Sequence, residues 1–563
     1  MISPLTRMIE RYDKRLLLIL ALAAFFLLFR ITTVDMIGDD AIYSTRSIGL
    51  VDHMFGDDES QSTPLQWFSR FPWWANLSWH DHPLLLFLIQ HAFLRWHPSL
   101  WLAKLPFGLM SLGTIVLTYA WVKRCFDRPT ALLAALLLAL NSHFIWQGRT
   151  TFLEAGVLFF ISLAWYYFLR FLDNPAREWW KLGLAVGLML ETKFTALFII
   201  PAFFVYLALR RRELFRRRQL YYAAGLALLL LAPVIIYNLM MYQATGHFSL
   251  QLVRLLGQSS PWKLGGIAPE WWEGILVNGR AAIYGLSFPY ALLVLLAASF
   301  TLARRRPGLL LTGLAVVWLV IEDTLIGARN LYGIFLAPVV AVFLIDLGRQ
   351  YCQKKWRRSW WLGGVAILSV YLMVFVANSN LLPKGFGAPG WWRESEQPIN
   401  FGVAQLDRYL DQIAVMDRSL TYFDPQQSLK IKKNSLRRYL LVASAAERQE
   451  RAAHSRVILF DGNINWFSRV WLFERRRFYN NFPAFSLNEA ELLSQLNLEA
   501  FYFIKATEYA PLDLPKFRTP AADQTEQRLV AAGFQPALIS RSDGQVAFKV
   551  YRVTADSSGA VAW

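Results

Sequence analysis

The sequence predicts a polytopic α-helical membrane protein that ends in a soluble α/β domain. Of its 563 residues 55% are hydrophobic and only 17% are charged, which is less charge than a soluble protein of this length carries. Apolar runs recur between residues 16 and 376, and many approach the ~20 residues that cross a bilayer. Beyond Ala377 the apolar runs shorten and charges return. We therefore predict a transmembrane domain over residues 1–377 and a soluble domain over residues 378–563.

The net charge of +18 has its origin in basic residues that cluster in short loops between apolar runs. That distribution follows the positive-inside rule for membrane proteins and argues against a nucleic-acid partner. The two cysteines, Cys125 and Cys352, both lie beside basic loops, so we expect no disulfide framework.

The first apolar run, residues 16–34, follows four basic residues and has no small-residue cleavage site, so we predict a retained helix rather than a signal peptide. Its basic start places that end on the cytoplasmic side. Residues 35–83 then form the first outer loop. The apolar stretch 83–96 is too short for a comfortable span and predicts an interfacial or re-entrant helix.

Further spans are predicted over 100–122, 130–146, 152–171, 221–241, 284–303, 309–326, 331–347 and 360–376. One long helix over residues 180–209 would place the arginines at 210–212 and 216–218 outside. Two short helices that break near residues 191–193 keep these arginines inside, and we predict that arrangement. The total is about eleven transmembrane helices, with the C-terminal domain outside.

The C-terminal segment has the patterns of an α/β domain. Residues 457–462, 498–506 and 546–553 are predicted strands, and residues 491–497 and 525–534 are predicted helices. Residues 385–390, followed by Trp391 and Trp392, are predicted to return to the membrane interface, where tryptophan is enriched.

Ionisable residues near the membrane are costly and mark functional sites. In this topology Asp39, Asp40, His80, Asp81, His82, Arg149, Glu154, Lys193 and Arg329 all lie at the outer face. We therefore predict one polar cavity that opens outward.

Each group also has a structural alternative. The two aspartates are also compatible with a solvated loop. The segment HDHP (80–83) offers metal ligands or caps the helix that Pro83 begins. Glu154 is also compatible with a salt bridge to Arg149, which does not exclude a functional role, and Lys193 and Arg329 either bind phosphate or snorkel to the interface.

Several blocks, in order, resemble a known superfamily. They are GDDAIYSTRSIG (38–49), HDHPLLLFLIQHAFLRW (80–96), LAKLPFGLMSLGTIVLTYAWVKRCF (102–126), RTTFLEAGVLFFISLAWYYFLRFL (149–172), WWKLGLAVGLMLETKFTALFIIPA (179–202) and ARNLYGIFLAPVVAVFL (328–344). The chain resembles GT-C class glycosyltransferases of the glycosyltransferase 39 group, the superfamily of protein O-mannosyltransferases and lipid A aminoarabinose transferases. It departs from the pattern at the first motif, usually Asp-Glu, which is Asp39 and Asp40 here.

The resemblance implies a GT-C fold and an inverting transfer of a sugar from a polyprenyl-phosphate donor to a hydroxyl acceptor on a protein, lipid A or another glycoconjugate. It implies catalytic roles for Asp39, Asp40 and Glu154, with Asp39 as the base.

The remaining implied roles concern binding. Lys193, Arg329 and Arg149 would bind the donor phosphate, His80 and His82 would hold a divalent metal ion or orient substrates, and Tyr43 and Tyr332 would contact substrate. The expected location is the inner membrane, surrounded by membrane lipids, with the site facing the periplasm. A lipid-linked glycan polymerase or ligase and a membrane transporter remain alternatives.

Overall fold

The structure is a computed structural model, and it describes residues 13–50, 52, 72–256, 287–303, 307–326, 331–351, 355–382, 400–416, 456–480, 484–487 and 500–554. Arg329, Cys352, the predicted helix 491–497 and the predicted interfacial loop 385–392 lie outside these residues.

Most of the described chain up to residue 382 is helical. The helices are α1 (Lys14–Leu28), α2 (Asp39–Gly49), α3 (Leu85–Leu94), α4 (Leu100–Cys125), α5 (Arg128–Ala139), α6 (Ser142–Arg149), α7 (Glu154–Asp173), α8 (Pro175–Leu190), α9 (Ile200–Arg210), α10 (Arg218–Thr245), α11 (Leu250–Leu255), α12 (Phe288–Ala303), α13 (Pro307–Ile326), α14 (Gly333–Tyr351) and α15 (Lys355–Asn380).

Among the described residues, six helices are long and apolar enough to cross a membrane. The pair α5 and α6, which bends by 61° between Ala139 and Ser142, adds a seventh span if it crosses as one. Shorter apolar helices include α3 and the segment Phe194–Arg210. The predicted class, a polytopic helical membrane protein, is confirmed, and the total of about eleven crossings stays a prediction.

The predicted break in residues 180–209 is present. Helix α8 ends at Leu190, and a 3₁₀ helix, Phe194–Ile199, leads into α9. Between them, the Thr192 hydroxyl donates to the Met189 carbonyl at 2.6 Å and ends α8. The two-helix arrangement is therefore confirmed, and its sidedness stays a prediction.

The chain divides into two compact units. The first comprises residues 1–31, 73–89 and 104–397, and the second comprises residues 32–72, 90–103 and 398–563. Helix α2 therefore shares a unit with the C-terminal residues.

The second unit contains a five-stranded mixed sheet. Its strands are β1 (Arg456–Phe460), β2 (Ala484–Ser486), β3 (Ala500–Ala506), β4 (Ala537–Ser540) and β5 (Val546–Thr554). The order is β2-β1-β3-β5-β4; β1 pairs parallel with β2 and β3, whereas β5 pairs antiparallel with β3 and β4.

Helices cover both faces of this sheet. Helix α16 (Val403–Met416) contributes Leu406, Leu410 and Ile413 to the apolar core on one face. The later helix Ala521–Ala531 contributes Ala522 and Leu529 to the core on the other face. Alternating side chains of each strand point to opposite faces and so supply both cores. A sheet covered by helices confirms the predicted α/β class of the C-terminal segment.

Candidate active site

A buried ion pair joins the start of α7 to the break after α8. Lys193 is extended there as the residue that precedes the 3₁₀ helix Phe194–Ile199. Its Nζ atom lies 2.7 Å from Oε1 of Glu154, the first residue of α7. The side chains are only 4% and 6% exposed. The structure thus brings together two of the residues that the sequence singled out.

Arg149 has different partners. It is the last residue of α6, its side chain is buried, and its Nη1 donates to the carbonyls of Phe26 at 2.6 Å and Phe29 at 2.9 Å. Its Nη2 donates to the carbonyl of Arg30 at 3.3 Å. Arg149 therefore caps the carbonyl end of α1, where cations are favourable. The alternative of an Arg149–Glu154 bridge is wrong, because Glu154 pairs with Lys193.

The HDHP segment forms a buried loop before α3. The His80 carbonyl accepts from the Leu250 amide at 2.7 Å, and the His82 carbonyl accepts from the Trp79 amide at 3.2 Å. The helix itself begins at Leu85, beyond Pro83.

The two histidine side chains of this loop have different neighbours. His80 and Asp81 offer ligand atoms that lie within 4.8 Å of each other, and both residues are buried. The His82 ring instead lies parallel to the Phe87 ring, with centroids 6.4 Å apart. A nitrogen and a carboxylate oxygen fit the ligand preferences of several divalent ions. Asp81 belongs to the HDHP segment, but the family resemblance implied a metal role only for His80 and His82.

The acidic motif lies in the second unit, where α2 begins at Asp39. The Oδ1 atom of Asp40 accepts from the Gly38 and Ala41 amides, both at 2.9 Å, and the residue is buried. Asp39 is half-buried, and its Oδ2 accepts from the Tyr43 hydroxyl at a longer 3.5 Å. Asp40 therefore anchors the first turn of α2, whereas the Asp39 carboxylate is held by the weaker of these bonds.

A set of hydrogen bonds around Gln90, which the sequence did not predict, contacts Ser44 and Ser47 of α2. The buried Gln90 side chain donates to the Ser44 hydroxyl at 2.9 Å and to the Ala103 carbonyl at 3.0 Å, and it accepts from the Ser47 hydroxyl at 2.7 Å. A glutamine within the apolar sequence LLFLIQHAFL was the available signal, since a buried amide requires partners.

Of the remaining predicted residues, Tyr332 is buried in the turn before α14. Tyr43 is buried within α2.

Comparisons with known proteins agree with this description. Residues 81–237 match the family model described as dolichyl-phosphate-mannose-protein mannosyltransferase. An uncharacterised protein of Aquifex aeolicus is 35% identical over 130 residues, 22% of this chain and 26% of that protein. YycA of Bacillus subtilis, named as a candidate mannosyltransferase, is 23% identical over 211 residues, 37% of this chain and 29% of that protein. The matched parts thus span less than a third of either curated relative.

The fold is similar over a much greater length to that of a solved membrane protein. ArnT from Cupriavidus metallidurans aligns with a TM-score of 0.52 at 13% identity, covering 96% of this chain and 98% of that one, both in its apo state and bound to undecaprenyl phosphate. The predicted resemblance to the GT-C glycosyltransferases, and with it the GT-C fold, is confirmed. The chain is a multi-pass membrane protein.

Proposed function

We propose that this protein is an inverting glycosyltransferase that moves a sugar from a polyprenyl phosphate to a hydroxyl acceptor at the outer face of the membrane. The observation that carries the proposal is the buried Lys193–Glu154 pair, which lies within the stretch that matches the mannosyltransferase family model. A buried ion pair in a membrane bundle is an expensive feature and marks a site that handles charge.

Lys193 is the proposed ligand of the donor phosphate. An ammonium group is a strong point charge for phosphate, and its three donors allow it to contact Glu154 and an anion together. Glu154 fixes the position of Lys193 and keeps the unliganded site close to neutral. Positive charge of this kind stabilises the leaving polyprenyl phosphate as the glycosidic bond to it breaks.

Asp39 is the proposed base. The acceptor oxygen attacks the anomeric carbon from the face opposite the phosphate, the bond from that carbon to the phosphate oxygen breaks, and the hydroxyl proton passes to the Asp39 carboxylate. Single displacement inverts the anomeric configuration. Asp40, whose Oδ1 is bonded to two backbone amides, is better suited to holding α2 than to taking a proton.

A divalent ion fits this scheme as a second source of positive charge. His80 and Asp81 would supply its nitrogen and oxygen ligands, and the ion would help to neutralise the donor phosphate. Arg329, Tyr43 and Tyr332 remain proposed substrate contacts. The inner membrane and a periplasmic site are the proposed location, because the positive-inside rule assigns the basic loops to the cytoplasmic side.

The test is replacement of Asp39 by Asn in the native host, followed by mass spectrometry of polyprenyl lipids and envelope glycoconjugates. We expect one polyprenyl-phosphate sugar to accumulate and one glycoconjugate to lose that sugar. Unchanged lipid and glycan profiles in a strain that makes the variant at normal level would refute the proposal. An accumulating oligosaccharide-linked lipid would instead favour a polymerase or ligase.

A further inference from the structure

Asp35, four residues before Asp39, is tied to the C-terminal part of the second unit. Its buried carboxylate accepts from the Ala404 amide at 2.8 Å and from the Asn400 side-chain amide at 3.1 Å, both through Oδ1. Its Oδ2 accepts from the Phe401 amide. Asp35 thereby supplies acceptors at the start of α16, where backbone donors lack partners within the helix.

Asn400 extends this connection on both sides. Its side-chain amide donates to the Thr33 carbonyl at 2.9 Å, and its side-chain oxygen accepts from the Ser542 amide at 3.1 Å. The segment that leads into Asp39 is therefore bonded, through one carboxylate and one amide, to α16 and to the turn between β4 and β5.

The far end of α2 meets the same C-terminal part. The Tyr479 hydroxyl donates to the Thr45 carbonyl at 2.9 Å, and burial raises the pKa of that phenol, so the hydroxyl keeps its proton. A Cβ atom added to Gly49 would lie 2.6 Å from the Tyr479 ring, which makes this a close approach that only glycine allows.

The first turn of α2 is packed against the same C-terminal part. The fully buried Trp471 shares an apolar cluster with Ala41 of α2 and Ala404 of α16. Helix α2 is thus held at both ends by residues that lie far beyond it in sequence.

We propose that Asp35 is a positioning residue, through which the C-terminal residues hold α2 so that the Asp39 carboxylate stays at the distance and angle the transfer requires. This inference rests on the proposed function, in which Asp39 is the base. Proton transfer is sensitive to displacements on the order of 1 Å, so a loosened α2 lowers turnover more than it lowers donor affinity.

The experiment compares Asp35→Asn with Asp513→Asn in the purified full-length protein. Asp513 is a matched control, because it also accepts from the first backbone amide of a short helix, Trp466–Arg469, at 3.2 Å, and from the Asn465 side-chain amide at 3.3 Å. Asn at position 35 presents an amide where Phe401 needs an acceptor. Hydrogen exchange of peptides that cover α2 is measured together with kcat and the donor KM.

Loss of charged hydrogen bonds of this kind shifts local opening by about tenfold or more, so we expect α2 amides to exchange about tenfold faster in Asp35→Asn. Turnover should fall by about tenfold with a donor KM within about twofold of wild type. Asp513→Asn should leave both quantities within about twofold. Asn400→Ala removes one of the described donors to Asp35 and should therefore have a smaller effect on exchange and turnover than Asp35→Asn.

Equal exchange of α2 in Asp35→Asn and Asp513→Asn would overturn the inference, as would an unchanged kcat in the first variant. The exchange measurement needs no substrate, so it decides the structural coupling even in a protein that transfers no sugar. If the wild type is active and Asp39→Asn is inactive while Asp35→Asn is normal, only the positioning role fails.

Discussion

Lys193 and Glu154 form a 2.7 Å ion pair between the break after α8 and the first turn of α7, and both side chains are almost completely buried. The Arg124–Asp173 pair contrasts with it, because its side chains are 40% and 56% exposed. A solvated pair of that kind contributes about 0–1 kcal/mol, whereas removing one partner of a buried pair leaves a charge that costs about 3–5 kcal/mol. Because a buried ion pair is costly to maintain and an exposed one is not, the burial of Lys193 and Glu154 supports a functional role for this pair.

Lys193→Ala should weaken use of the donor lipid and also lower stability, because it removes the proposed phosphate ligand together with the cation of a buried ion pair. We expect the donor KM to rise by about tenfold or more, as for the loss of one charge-assisted contact. Steady-state kinetics with a polyprenyl-phosphate sugar in detergent measures this change.

The double variant Lys193→Ala, Glu154→Gln separates the two effects. It also removes the negative charge that Lys193 neutralises in the wild type, so the thermal unfolding temperature should recover while the donor KM stays high. Arg124→Ala serves as a control from an exposed pair and should change neither quantity. A donor KM that recovers together with stability would assign Lys193 a structural role alone.

Asp39→Asn should abolish transfer and leave expression and membrane insertion intact, because the amide keeps the shape of the side chain but accepts no proton. The loss of a general base typically costs about 10²–10⁴-fold in rate. Product formation by the purified variant, against wild type at equal protein concentration, is the measurement.

Asp40→Asn is the control for Asp39→Asn, because it makes the same substitution at the adjacent residue. The Asn oxygen can still accept from the Gly38 and Ala41 amides, so turnover should fall by less than about tenfold. Near-normal turnover by Asp39→Asn, or an equal loss in both variants, would remove Asp39 as the base.

The sequence predicted several helices of the membrane part of the fold, because the length of an apolar run and the charges at its ends indicate a span. The span predicted over residues 152–171 is α7, Glu154–Asp173, and the span predicted over 100–122 is α4, Leu100–Cys125. The break after α8 followed from charge bias in the loops. These signals are local, and a bilayer makes them strong.

Partners in the site could not be predicted in the same way. Arg149 and Lys193 are both cations near Glu154 in sequence or topology, and only the packing of α1 against α6 determines that Arg149 bonds to carbonyls. The strands Ala484–Ser486 and Ala537–Ser540 were missed because they are short, with three and four residues, and pair with distant segments. Asp35 was not recognised because its partners, Phe401 and Ala404, lie far along the chain.

Asp407 should control the acid stability of the second unit. Its carboxylate, 4% exposed, lies 2.8 Å from both Arg475 and Arg476. Burial raises the pKa of Asp407, but the two guanidinium groups outweigh that effect and hold the pKa below its usual range. A lowered carboxyl pKa contributes stability that is complete above the unfolded-state pKa of about 4 and is lost as pH falls through the lower, folded value.

Asp407→Asn should therefore destabilise the second unit by about 3–5 kcal/mol near neutral pH and flatten its acid unfolding below about pH 4. Hydrogen exchange of peptides from α16 across an acid titration measures both effects. Asp411→Asn, whose side chain is 52% exposed, should cost only about 0–1 kcal/mol. Equal effects of the two substitutions would contradict the importance of burial here.

The break after α8 makes the orientation of the later helices testable. With Cys125 and Cys352 replaced by serine, a cysteine at position 191 should react with an impermeant maleimide from outside, and a cysteine at position 216 should not. The reason is that Arg216 follows the short helix α9 on the basic side, whereas Glu191 lies in the turn between α8 and the 3₁₀ helix. Permeabilised cells, in which both positions should label, control for local reactivity. External labelling at 216 but not at 191 would invert this pair and move Lys193 to the cytoplasmic side, away from the face that the proposed transfer requires.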